Sequence, residues 1–156
     1  MSAGSEVGRG PDLEIEEHFR KLERVYATAP VTQWFGTSIA VGDGTAEVRL
    51  TLRPEFHHAA GSVHGSVYFR LLDDAAFFAA NSRVTDVLVL TVSYTVHFTR
   101  PVAIGNIRSV GRTVHQSGRL LLAESHLFDS DGRLLGQGSG TFTRSSIRLD
   151  AAIGYT

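Results

Sequence analysis

The residues whose types and spacing could do chemistry are two adjacent carboxylates, Asp73 and Asp74, and the pair His64-Gly65 nine residues before Asp73. All four fall in one stretch, residues 61–82, GSVHGSVYFRLLDDAAFFAANS. Asp73 has Phe69 four residues behind it and Phe77 four residues ahead. On a helix these rings flank the carboxylate and strip water from it, which raises a carboxyl pKa and suits a general base or a nucleophile. A structural ion pair is the other reading of a carboxylate so placed. Asp74 has Arg70 one turn back, so an i,i+4 ion pair on a more exposed edge accounts for it. Gly65 in a first helical turn lets a ligand approach the backbone and leaves an N–H without an intrahelical partner. At the positive end of the helix dipole such an N–H can stabilise a developing oxyanion, although a glycine there can also simply relieve crowding. His64 by itself reads as a helix cap or surface residue as readily as a catalytic one.

Nine residues make 2.5 helical turns, so His64 and Asp73 stand on opposite sides of one helix and about 13 Å apart along it. One chain cannot bring them to one site. If both work, Gly65 of one subunit meets Asp73 of another, which predicts a homodimer as the minimum unit, with a homotetramer as the larger possibility.

Other side chains offer less. Seven histidines raise the question of a metal, but His57 and His58 are adjacent and His97, His115 and His126 fall on separate strands without ligand spacing, so no metal site is expected. The chain has no cysteine, which removes disulfides, thiolate nucleophiles and cysteine-based zinc sites together. Ser62, Ser66 and Ser117 lack a nucleophile-elbow context. Arg100, Arg108, Arg112, Arg119 and Arg144 could meet the phosphates of a nucleotide tail, or be ordinary solvated arginines.

The elements that must position these residues are legible in the hydropathy pattern. Residues 1–11 are rich in Gly and Ser and are expected to be flexible. Asp12 caps a predicted outer helix over 12–29 with Leu13, Phe19, Leu22 and Tyr26 as its apolar stripe and Pro30 as its stop. The segment after it, VTQWFG, reads as a connection. Residues 37–41 and 45–53 flank Gly42-Asp43-Gly44 as a hairpin, the second strand alternating strictly between apolar and polar. The central pattern predicts a helix over about 63–81, apolar around more than half its circumference and therefore buried. Four strands follow, near 87–100, 104–114, 120–129 and 134–144, expected as an antiparallel meander. In the first of these, Leu88, Leu90, Val92, Tyr94, Val96 and Phe98 share one face, and Thr91 falls on the other, polar face. The sum is one α+β domain over 12–150, an antiparallel sheet wrapped around one central helix with an extra N-terminal helix.

With 156 residues the chain has room for one core. Lys plus Arg number 15 against 16 acids, so no positive field would gather nucleic acid. No stretch approaches the roughly 18 apolar residues of a membrane span, and the N-terminal residues form no apolar signal core, so a cytoplasmic address without membrane contact is expected.

From about residue 34 to residue 144 the chain resembles the PaaI-type thioesterases of the hot-dog superfamily, to which 4-hydroxybenzoyl-CoA thioesterases also belong. The resemblance rests on motif order. Gly61-x-x-His64-Gly65 opens the helix, a carboxylate follows nine residues after the histidine, FTRP ends the next strand at 98–101, Gly105 comes shortly after, and DSDGRLLGQGSGTF closes the domain at 129–142. The resemblance implies hydrolysis of a small or medium, including aromatic, acyl-CoA thioester without cofactor or metal. It implies Gly65 as the donor that polarises the carbonyl, Asp73 as base or nucleophile, His64 as an orienting group, and Thr91 in place of a serine that holds water in some relatives. Ser66, Phe69 and Phe77 are expected around the substrate. Two positions depart from the family: Ser66 stands where a second glycine is usual, and His58 where an asparagine that assists at the carbonyl is frequent.

Two rivals remain at this stage. One is a non-catalytic acyl-CoA sensor that keeps the fold and loses turnover. The other is an acyl-chain dehydratase, which the resemblance disfavours because Phe78 stands fourteen residues after His64, where some dehydratases place a glutamate. Acyl-group size would depend on how Tyr68, Phe69, Phe77 and the loop after Ser82 pack.

Overall fold

The structure is a computed structural model that describes residues 11–156. The expected flexible segment 1–11 lies outside the described residues, apart from Pro11 at the start of the first helix.

Helix α1 (Pro11–Thr28) is followed directly by a short helix α2 (Pro30–Phe35). Pro30, read from sequence as a stop, also starts α2, because a first-turn position needs no N–H and favours the φ that proline imposes. Gly36, at φ +73°, ends α2 in the left-handed region. The stretch VTQWFG is therefore mostly helix rather than connection. Within the α1 stripe Phe19, Leu22 and Tyr26 are buried, whereas Leu13 is 62% exposed and lies off it.

Strands β1 (Ser38–Gly42) and β2 (Thr45–Thr51) form the expected hairpin. Helix α3 (Gly65–Asn81) follows, then β3 (Val87–Phe98), β4 (Asn106–Ser117), β5 (Leu120–Phe128) and β6 (Leu134–Arg148). The six strands make one antiparallel sheet in the order β1-β2-β4-β5-β6-β3. Only β4, β5 and β6 run as a meander. The connection 99–105 carries the chain back across to β2, leaving β3 as an edge strand beside β6. Alternation alone cannot show this, since it reports which face is buried and not which neighbour a strand takes.

The sheet curls around α3, whose Leu71, Leu72, Ala75, Ala76, Ala79 and Ala80 are fully buried. Each buried leucine contributes about 2 kcal/mol of apolar transfer, so the helix is anchored mainly by this burial. The sheet side of the contact is built of small residues. A Cβ at Gly111 on β4 would lie 2.2 Å from the Ala75 carbonyl oxygen, and one at Gly138 or Gly140 would strike the Tyr94 ring. Hydroxyls then tie the two layers: Ser125 donates to Leu72 O at 2.7 Å, Tyr94 to the same oxygen at 3.0 Å, and Thr113 to Ala79 O at 2.8 Å. No described helix is long and apolar enough to cross a membrane.

Candidate active site

Asp73 accepts a hydrogen bond from the Thr91 hydroxyl at 3.0 Å. Strict alternation places Thr91 on the polar face, away from the helix. A register shift between Thr91 and Ser93 leaves Val92 as an extra residue in β3, and this bulge changes the phase of the strand. On its N-terminal side Val89 and Thr91 face α3; beyond it Tyr94, Val96 and Phe98 do. Leu90 and Val92, expected to share the inner face with Tyr94, are instead 45% and 62% exposed. Buried Asn81 sets the strand against the helix: its side-chain oxygen accepts from Val89 N–H at 2.8 Å, and its amide donates to Val84 O and Val87 O at 3.2 Å each.

Asp73 opens onto a chamber of about 340 Å³ together with Phe77, Thr91 and residues of α1 and α2. Phe77 thus flanks the carboxylate as expected. Phe69 does not line this chamber; it is 41% exposed and packs edge-on against Tyr94 at 5.8 Å. Burial raises the Asp73 pKa, against the lowering influence of the Thr91 hydrogen bond and the Arg70 charge.

Asp74 shares the chamber and is not on an exposed edge. Its carboxylate, 19% exposed, accepts from the Tyr26 hydroxyl at 3.0 Å and pairs with Arg70 at 3.3 Å. Arg70 also donates to Thr32 at 3.1 Å and lies 4.7 Å from the Phe35 ring. The Arg70–Asp74 pair was legible from spacing; its burial was not, because α1 and α2 supply the cover.

Burial pushes the Asp74 pKa from the ordinary 3.8 up to about 6, with Arg70 and Tyr26 opposing and Asp73 adding to the rise. Between about pH 4 and 6 the folded chain therefore holds this proton more firmly than the unfolded chain does. The associated stability is present at low pH and lost as pH rises through about 6. Asp74→Asn, which cannot ionise, should gain on the parent by up to about 3 kcal/mol between pH 4 and pH 7. Urea unfolding of both proteins at the two pH values measures this, and a gap independent of pH would refute burial as the cause.

At the start of α3, His64 is the N-cap: its Nδ1 accepts from Ser66 N–H at 3.1 Å and lies 2.7 Å from the Ser66 hydroxyl. With Nδ1 occupied as an acceptor, the neutral ring carries its proton on Nε2. Ser66, at the position of the missing second glycine, thereby holds the His64 ring. Gly65 is the first helical residue, so its N–H has no intrahelical acceptor. A second chamber, also about 340 Å³, brings Gly65 together with His58, Tyr68, Phe98 and Arg100. His58 Nδ1 accepts from Ala60 N–H at 3.1 Å, which leaves Nε2–H as a donor. Tyr68 donates to Arg100 O at 2.7 Å and fixes the 99–101 turn beside the glycine.

The sequence-predicted residues thus form two groups in one chain: His58, His64, Gly65 and Ser66 around the start of α3, and Asp73, Phe77 and Thr91 along its flank. Tyr26, Arg70 and Asp74 join the second group, Phe98 and Arg100 the first. Of these, Arg70 and Asp74 were legible from their i,i+4 spacing and Phe98 and Arg100 from the FTRP motif, whereas Tyr26 read only as part of the apolar stripe of α1. Among the described residues no three His, Asp or Glu side chains converge as metal ligands.

Residues 60–135 match the sequence model of the thioesterase superfamily. A conserved protein of Pseudomonas aeruginosa is 29% identical over 78% of this chain and 98% of its own, with a TM-score of 0.73. The PaaI protein of the E. coli phenylacetic acid degradation operon is 19% identical over 85% of this chain and 96% of its own, with a TM-score of 0.79. An inferred esterase of Saccharolobus solfataricus is 24% identical over 133 residues, 85% of this chain and 91% of that protein. Motif order, strand order and these likenesses agree: the chain has the hot-dog fold, and its residues 60–135 match the thioesterase superfamily.

Proposed function

We propose that this protein hydrolyses the thioester of an acyl-CoA at sites shared between two subunits. The observation that carries the reading is the division of α3: a buried carboxylate held by Thr91 on its flank, and an unpaired N–H with adjacent donors at its start, in separate chambers of one chain. Apposition of two copies about a two-fold axis would bring the halves of different chains together twice. The unpaired edge of β3, with Leu90 and Val92 exposed beside it, offers the surface for this.

In the joined site the thioester carbonyl oxygen faces the Gly65 N–H, with His58 Nε2–H as a second donor. Asp73 of the other subunit takes a proton from water while the water oxygen attacks the carbonyl carbon. The C–S bond then breaks, the thiolate receives the proton, and the products are a carboxylic acid and free CoA. Thr91 orients Asp73, and burial keeps that carboxylate basic enough for the transfer. His64 and Ser66 hold the helix start that presents the donor.

The test is thiol release from a panel of acyl-CoAs together with the mass in solution. Turnover by a dimer or larger assembly supports the reading; a monomer, or tight acyl-CoA binding with no thiol release, overturns it. A sharper check uses Gly65→Ala. The added methyl would sit 3.2 Å from the exposed Phe98 ring, so the fold tolerates it while the carbonyl loses its approach to the backbone. The expected outcome is a fall in kcat/KM of about tenfold or more with an unchanged Tm.

A further inference from the structure

The chamber that holds Asp73 has a second wall, made by helices that precede the family core. Val25 of α1, Ala29 between the helices and Val31 of α2 face Phe77 of α3 and Leu88 and Leu90 of β3. The superfamily match begins at residue 60, so the first three of these lie outside it. Val31 is 49% exposed and Leu90 45% exposed, an apolar rim that the chain itself leaves open.

The polar side chains of this chamber engage one another, although Arg70 Nε is buried without a hydrogen-bond partner. Arg70 is neutralised by Asp74, Tyr26 donates to Asp74, and Thr91 donates to Asp73. Among the described residues that line it no cation is left over to meet a charged acyl group, and Asp73 would repel a carboxylate. Apolar walls whose one cation is already paired select an occupant chiefly by burial. Resting on the hydrolase reading above, the geometry points to this chamber as the seat of an uncharged, apolar acyl group, with Val25, Ala29 and Val31 setting how long that group can be. Acyl selectivity then resides in α1 and α2, not in the packing of Tyr68 or Phe69: Tyr68 is buried beneath the Gly65 chamber, and Phe69 leans on Tyr94.

The experiment uses S-alkyl-CoA thioethers from ethyl to decyl, which bind but cannot be hydrolysed, and measures their Kd by calorimetry with the full-length protein. For the parent, Kd should fall by about three- to fourfold per added methylene and then level off where the chamber is full. Val31→Trp should move that plateau to a chain shorter by two or more methylenes, and Ala29→Leu should do the same from the neighbouring wall. Val114→Trp, at an exposed β4 position that lines no part of this chamber, should leave the ladder unchanged. A flat ladder in the parent, as when a second copy of the chain fills the groove, overturns the assignment. So does a plateau that neither chamber variant moves. The two readings fail separately: a length-dependent ladder without thiol release from the matching acyl-CoAs refutes hydrolysis and upholds the chamber, and release with a flat ladder does the reverse.

Discussion

Asp73→Asn should lower kcat for thioester hydrolysis by about 10²- to 10⁴-fold, the range lost when a positioned general base is removed, with KM little changed. The substitution is nearly isosteric, and the side-chain oxygen that accepts from Thr91 is retained, so the strand and helix keep their register. The missing function is the ability to take a proton. Stability should not suffer at neutral pH, because burial raises the Asp73 pKa and its ionised form is a net cost to the folded chain. The parent's kcat/KM should rise with pH as Asp73 ionises, at a pH above the ordinary carboxylate range, and the residual activity of the variant should lack that limb. Asp74→Asn provides the contrast. That carboxylate is held by Tyr26 and Arg70, so its loss should cost far less kcat. Equal losses in both variants, or an Asp73→Asn protein as active as its parent, would remove Asp73 from the mechanism.

Gly111→Ala should have the largest effect on folding. The added methyl would meet the Ala75 carbonyl oxygen at 2.2 Å, its carbon at 2.3 Å and the Ala76 nitrogen at 2.7 Å, all backbone atoms of α3. No rotamer change can relieve a clash between one methyl group and helix backbone, so the helix must move off the sheet. The cost is about 3 kcal/mol or more, at the upper end for overpacked cores. For a chain of this size that corresponds to a Tm lower by roughly 10 °C. Because Gly111 lies beneath the turn that follows Asp73 and Asp74, the same displacement should lower activity in whatever fraction remains folded. Thermal unfolding of the variant decides the point; a Tm within about 2 °C of the parent would show that the layers are less closely packed than this contact requires.

Both predictions depend on α3, and α3 was legible early. A segment apolar around most of its circumference and bounded by His64-Gly65 and Asn81-Ser82 can only be a buried helix, and the β patterns on either side leave little but a sheet to bury it. The fixed period of the helix also separates His64 from Asp73 without any coordinates, so their division into two groups is a consequence of spacing.

What periodicity could not supply is whatever depends on residues far apart in sequence. One unpaired residue, Val92, reverses the facing of β3 and delivers Thr91 to Asp73; a bulge leaves no mark on an alternating pattern that reads equally well in either phase. Asp74 reads as the more exposed of the two carboxylates until α1 and α2 close over it with Tyr26 and Thr32. Strand order likewise depends on the 99–105 crossing and not on any strand's own composition. The sequence by itself determined the buried helix and the separation of His64-Gly65 at its start from Asp73 on its flank, because local period and residue type dictate them. Tertiary structure alone decided which groups surround each carboxylate, because burial and hydrogen bonding are set by neighbours that the chain brings from 18 and 48 positions away.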